Sequence, residues 1–415
     1  MKETTKARIE VLLTLFLVLF LLPQRHSETD FAYWTEWALA IHHYGITNIY
    51  EHGINYHPVI PYIIYLYDLA MGTPEQIIAH INYIKVVPIL FDFLPVIVLC
   101  CFRQRFIEAK IPYLFLLLNI AYLYNSVCWG QADGMFSSLC FLALVIGLYN
   151  PKVAVVLYTL SFYTKFQSIM FLPPLLLVLA YSIRSLKTLQ RCILLAAGTA
   201  FVILLPFILA GKVGDVFYIT THTVDFMSHV SVQAYNIWYL LIWGNPFEVQ
   251  DYETFFILTY KQTGLLLFLV ASTLTLIPFL SRLLTMRVSR LVPDAGLKEL
   301  MFITVGLLCF YFFYFNTQMH ERYMQPAVIL FFFYAVYSRN YIPYILISIA
   351  YLMSLEKTFP NFLGIPLHRI FFSSRAIALL YTATLAYTMM LFFRRYRLSH
   401  EVSQIRLMIN TAIKR

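Results

Sequence analysis

The chain has 415 residues, of which 60% are hydrophobic and only 12% charged, with a formal net charge of +9, whereas about a quarter of an ordinary soluble domain is charged. No soluble fold of this length conceals that much apolar surface, so soluble enzymes, disordered tails and fibrous proteins are excluded and an all-α polytopic membrane protein is predicted. The Lys and Arg residues fall in short clusters between apolar runs, the pattern of topology signals rather than of nucleic-acid binding.

The first apolar run, 11–23, follows Lys2, Lys6 and Arg8, and no small-residue cleavage site comes after it. It is read as an uncleaved span leaving the cytoplasm. Further apolar runs lie near 83–102, 111–127, 135–149, 153–164, 168–182, 192–210, 262–280, 299–315, 325–337, 341–355 and 376–393. The run 58–71 is too short for a bilayer crossing, which takes about 20 residues. With it laid on the outer surface, the inner segments 1–8, 103–110, 150–152, 183–191, 281–298, 338–340 and 394–415 hold 21 of the 30 Lys and Arg. A crossing there would turn most of that charge outward, against the positive-inside bias. About 12 spans with both termini cytoplasmic are therefore expected. The pair 153–164 and 168–182 is short, as helices that line a protein cavity are allowed to be.

The outer segments 24–82, 211–261 and 356–375 are long and polar, while the inner loops are short and basic. Recognition is expected on the outer face. No Gly-rich phosphate loop or soluble nucleotide domain is visible. The six Cys fit neither a disulfide framework nor a metal spacing and read as small core residues.

Ionisable groups at membrane depth are costly and mark function or pairing. Five places carry them. Asp30 opens the outer-loop stretch Asp30-Phe31-Ala32-Tyr33-Trp34-Thr35-Glu36-Trp37, which reads equally as a helix N-cap followed by interfacial tryptophans. Asp92 lies within the second span, where a structural partner across the bundle suits it. Asp133 ends the turn Trp129-Gly130-Gln131-Ala132-Asp133, which alone is an ordinary polar turn. Lys165 lies in Thr164-Lys165-Phe166-Gln167. His320-Glu321-Arg322 packs a base, an acid and a cation at one boundary, and an internally neutralised ion pair accounts for it too. Together they place carboxylates and cations from separate spans at one membrane boundary. A carboxylate there can take a proton from an acceptor hydroxyl. Cations there can neutralise a departing phosphate. The leaving group that chemistry calls for is a membrane-resident polyprenyl phosphate carrying a sugar.

These residues resemble the GT-C superfamily of lipid-phosphosugar glycosyltransferases. The nearest branches are the dolichyl-phosphate-glucose glucosyltransferases of N-glycan precursor assembly and the GPI second mannosyltransferase with its bacterial relatives. The resemblance rests on Asp30, Phe31 and Trp37; on Asn55-Tyr56-His57-Pro58, with Asn and His where the family has Asp and Pro; and on Pro88 to Asp92. It continues through Trp129, Gly130, Gln131 and Asp133, then Lys165-Phe166-Gln167, then His320, Glu321 and Arg322. It implies a catalytic membrane module over 1–337, with short outer-surface helices in the first loop, followed by C-terminal spans and a basic tail over 338–415. It implies an inverting transfer with Asp30 as general base and Lys165, His320 and Arg322 around the lipid phosphate. Trp37, Tyr56, Gln131, Asp133 and Gln167 would contact sugar or acceptor; Asp92 and Glu321 would support, Glu321 by positioning Arg322. No metal or other cofactor is implied. The partners are the lipid-linked donor and a glycan, lipid or protein acceptor. The short inner loops suit a bacterial plasma membrane with the site facing outward, although an endoplasmic reticulum membrane fits as well. A transporter or flippase, or a polysaccharide polymerase or ligase, remains the competing reading. No internal repeat of the transporter kind is visible.

Overall fold

The computed structural model describes residues 3–24, 27–106, 110–222, 227–360 and 372–413. Nearly every ordered element in them is a helix; the strands among the described residues are Thr254–Phe255 and Leu258–Thr259, paired as a hairpin. Among the described residues five helices are long and apolar enough to cross a bilayer: Ile81–Phe102, Leu186–Leu209, Tyr260–Val288, Ala295–Phe315 and Ser374–Arg395. The chain is thus all-helical and of membrane-embedded character. The other apolar runs form shorter helices, among them Asp133–Gly147, Pro151–Phe162 and Gln325–Ser338. Part of the expected outer segment 356–375, residues 361–371, lies outside the described residues.

The chain divides into two compact units. The first comprises Met1–Phe106, Leu123–Ile169 and Ser185–Phe226. Its Glu28–Tyr44 helix starts at Ser27, whose hydroxyl accepts the Asp30 N–H, and ends at Gly45 with φ 78°. Phe31, Trp34, Trp37 and Ile41 on one face pack against Ile60, Ile64 and Ile77 of the short helices Val59–Met71 and Pro74–Ala79. Val59–Met71 has 13 residues, only about 20 Å at 1.5 Å per residue, so the ambiguous run is a separate short helix held by the first loop's own core. Asp68 on its buried side meets His42 Nδ1 at 2.7 Å. Further on, Val86–Phe106 packs against Glu3–Phe20 and Asp133–Gly147, which in turn packs on Pro151–Phe162. Every residue of Asp133–Gly147 is buried, as its all-round apolar sequence requires.

The second unit comprises Ile107–Tyr122, Met170–Arg184 and Met227–Arg415. Tyr260–Val288, Ala295–Phe315, Gln325–Ser338, Ile342–Thr358 and Ser374–Arg395 pack in chain succession, with Leu172–Ser182 and Leu398–Ile413 against the first of them. Ala295–Phe315 and Gln325–Ser338 form the interior, while Tyr260–Val288 leaves Leu265, Leu266, Leu267, Leu269, Val270 and Leu274 exposed. The run 111–127 is not one helix. It breaks into Tyr113–Leu117 and Ile120–Tyr124, followed by a π turn at Asn125–Trp129. Asn119 explains the break: its Oδ1 accepts the Ala121 N–H at 3.0 Å, and its Nδ2 donates to Tyr344 Oη at 2.7 Å and Ser348 Oγ at 2.8 Å. A side chain that serves the backbone in this way competes with helix continuation.

Candidate functional site

Asp30 sits in the first turn of its helix, three residues after the cap, so the capping role belongs to Ser27 and not to Asp30. That leaves the carboxylate free of capping duty at a helix end that favours negative charge. Its Oδ2 accepts the indole N–H of Trp129 at 2.6 Å, across 99 residues of chain. The backbone around this bond is built for close approach. Gly130 follows the π turn with φ 82°, and a Cβ there would overlap the Phe31 ring. Only glycine adopts that conformation without penalty and leaves that space. Behind it, the buried Lys85 donates to the Pro23 carbonyl at 2.9 Å, with its ammonium 5.5 Å from the Phe31 ring centre. The Asp30-Phe31 pair and the Trp129-Gly130 pair therefore interlock, acid to indole and ring to glycine.

The same unit gathers the next candidates. Trp34 and Trp37 are not interfacial belt residues; both are buried, and they cradle Tyr56, the first stacked at 5.6 Å and the second edge-on at 5.8 Å. The Tyr56 hydroxyl donates to Gln131 Oε1 at 3.4 Å. Lys165 pairs with Asp133 and lies 6.0 Å from the Tyr56 ring centre. The other Asp133 oxygen accepts from Asn125 Nδ2 at 3.2 Å. Asp92, fully buried, lies where a Cβ on Gly134 would overlap its carboxylate. It thus lies against the start of the Asp133–Gly147 helix. Gln167 is half-buried and its Oε1 makes no hydrogen bond among the described residues. Asn55, where the family pattern has an acid, is exposed, whereas His57 beside it is buried. His57 Nδ1 hydrogen-bonds the Phe162 carbonyl at 2.8 Å, which ties the first loop to the turn carrying Lys165. Burial holds the His57 imidazole below its ordinary pKa.

In the second unit, Glu321 is buried and links its neighbours: its carboxylate takes a 3.0 Å bond from Arg322 and lies 3.9 Å from His320 Nδ1. His320 and Arg322 keep more exposure than Glu321. The Tyr351 hydroxyl donates to the Arg322 carbonyl at 3.1 Å and so holds the backbone. This segment is clamped by the 227–251 loop. Val232 N–H donates to the Met319 carbonyl at 2.9 Å, Gln318 N–H to the His229 carbonyl at 3.0 Å. Buried Asp251 accepts from Thr317 at 2.8 Å and Gln318 at 2.7 Å. Three non-glycine residues at this clamp, Gln233, Tyr235 and Gln318, have positive φ, a concentration of backbone strain typical of functional segments. Burial pushes the Tyr235 phenol up to about 12, so it stays protonated.

Several contributors carried little sequence signal or none that was read as a role: the Trp129 indole, Asn125, Lys85, Asp251 and the His42–Asp68 pair. Lys85 and Asn125 are polar groups in or beside apolar runs, and the cost of such groups was the available signal. Asp251 lies in a polar loop where nothing distinguishes it. Among the described residues no three His, Cys, Asp or Glu side chains are grouped to hold a metal ion. No known protein-family model matches the chain, and no characterised protein matches it significantly.

Proposed function

We propose that the chain is a GT-C-type glycosyltransferase that moves a hexose from a polyprenyl-phosphate donor to an acceptor hydroxyl on the non-cytoplasmic side of the membrane. The observation that carries the reading is the Trp129–Asp30 hydrogen bond, which fixes the Asp30 carboxylate on the turn whose Gln131 and Asp133 pair with Tyr56 and Lys165. In this reading the membrane is crossed about 12 times and both termini are cytoplasmic.

Asp30 takes the acceptor's hydroxyl proton as the oxygen attacks the anomeric carbon. The bond from that carbon to the phosphate oxygen breaks on the opposite face, and a single displacement inverts the centre. The lipid phosphate leaves with its charge met by Lys165 on the side of Asp30; His320 and Arg322 are the cations of the second unit. Lys165 also pairs with Asp133, so in this reading the phosphate shares the ammonium with that carboxylate. Glu321 orients Arg322. Trp37, Tyr56, Gln131, Asp133 and Gln167 contact sugar or acceptor, and Asp92 supports the turn. Fixed cations supply the phosphate stabilisation that a metal would otherwise give.

The test is purified protein incubated with a panel of polyprenyl-phosphate sugars, scoring donor hydrolysis and transfer. Turnover of at least one donor is expected. Asp30→Asn should abolish transfer while keeping the fold and donor binding. Inertness towards every donor would remove the reading, and robust turnover by Asp30→Asn would remove Asp30 as the base.

A further inference from the structure

The Thr254–Thr259 hairpin places two large apolar side chains where a soluble loop would place none. Phe255 pairs with Leu258, so Phe256 and Ile257 form a two-residue turn, and they are 88% and 93% exposed. Phe256 has φ 59°. A positive φ at the first position of such a turn is glycine territory, and an aromatic there costs stability. The sequence thus keeps a bulky apolar residue at a position where backbone geometry asks for glycine. The strand pair itself, Thr-Phe-Phe-Ile-Leu-Thr, is uncharged, and a bare apolar hairpin in water is an aggregation hazard.

What covers it follows from its anchorage. Tyr260, the first residue of the Tyr260–Val288 candidate span, follows the hairpin directly, and both strands pack on that helix. The Tyr260 N–H donates to the Glu253 carbonyl at 3.1 Å and the Lys261 N–H to the Asp251 carbonyl at 3.0 Å. The turn is three residues from the helix start, so it lies within about 10 Å of it. A second candidate span, Ser374–Arg395, begins beside the same loop: it packs against Trp238–Leu241, and Arg375 stacks its guanidinium 4.8 Å from the ring centre of Trp243. Trp243 is 91% exposed. Phe256 and Ile257 thus lie close to the start of one candidate span and Trp243 close to the start of the other. Exposed aromatic and aliphatic side chains close to the starts of two candidate spans, with a cation against Trp243, have the make-up of an interfacial anchor.

We propose that the Phe256–Ile257 tip, with Trp243, is a membrane anchor that inserts into the leaflet where Tyr260–Val288 and Ser374–Arg395 begin. It does not depend on the glycosyltransferase reading. Because the same loop bridges to His320 through Val232 and Gln233, the anchor ties that segment to the lipid surface.

The experiment uses full-length protein in phosphatidylcholine nanodiscs. Ile257→Cys and, as a control, Glu248→Cys carry a bimane label in a Cys101→Ser background, with the unsubstituted background subtracted. Both substitutions fall on exposed side chains and leave the fold intact. Lipids bearing a nitroxide high on the acyl chain should cost the label at 257 much of its fluorescence and leave that at 248 nearly unchanged. Aqueous iodide should quench in the reverse order. Iodide quenching at 257 equal to that at 248, or lipid quenching that does not distinguish them, would overturn the proposal; the first outcome would leave the tip to a water-borne partner.

Discussion

Trp129 and Asp30 show how one hydrogen bond can give a carboxylate a direction. An indole N–H bonded to an anion contributes about 1.5–3 kcal/mol, and it fixes which oxygen faces away. Trp129→Phe deletes the donor and keeps one aromatic ring, at the loss of part of the buried indole. If Asp30 is the base, transfer by Trp129→Phe should fall about 10- to 100-fold, the rate equivalent of that bond energy, in protein that still folds with a lowered detergent unfolding midpoint. A large loss of stability with unchanged activity in the surviving protein would make the bond merely structural. Gly130 and Gly134 belong to the same design. One admits the Phe31 ring and the other the Asp92 carboxylate, so the turn between them is fixed on both sides by groups from other helices.

At the scale of elements, the Val59–Met71 helix is docked through His57 on the turn that carries Lys165. His57 bonds the Phe162 carbonyl and Val59 N–H bonds the Tyr163 carbonyl at 3.0 Å. Burial lowers the His57 pKa in the folded state, so the unfolded chain binds the proton more readily. Neutral His57 therefore supports the fold fully above its unfolded pKa of about 6.5, and that support declines as pH falls from there through the folded pKa. Stability should drop with a slope of at most about 1.4 kcal/mol per pH unit from this one group. His57→Gln should flatten the unfolding midpoint between pH 7 and pH 5 relative to the native chain; an unchanged slope would assign the acid sensitivity elsewhere.

For the molecule as a whole, the distribution of charge is the constraint on topology. Helix length and apolar composition identify five candidate spans among the described residues, and the proposed topology, drawn from the charge pattern, adds crossings through shorter helices. Such helices are admissible where protein rather than lipid surrounds them, and Asp133–Gly147 and Gln325–Ser338 are enclosed in this way. Single cysteines in intact cells test the orientation. Positions 218 and 250 should react with an impermeant maleimide from outside, and position 288 only after permeabilisation. The opposite pattern would invert the assignment of loops.

The amino-acid sequence by itself determined the helical class and the membrane environment, because apolar content and the spacing of basic clusters are additive properties of the chain. It also marked Asp30, Asp133, Lys165 and Arg322, because an ionisable group near hydrocarbon is conspicuous on cost alone. The partners of these groups were not legible. Whether Asp30 caps its helix or faces Trp129, whether Trp34 and Trp37 meet lipid or hold Tyr56, and that Asn119 interrupts an apolar run were decided by tertiary structure. Directional contacts join residues far apart in the chain, and hydrogen bonds and ring packing depend on angles and distances that no local pattern encodes. The exposed tip at Phe256 has the same origin: its apolar residues are ordinary in the sequence, and only the turn that holds them out gives them a surface to meet.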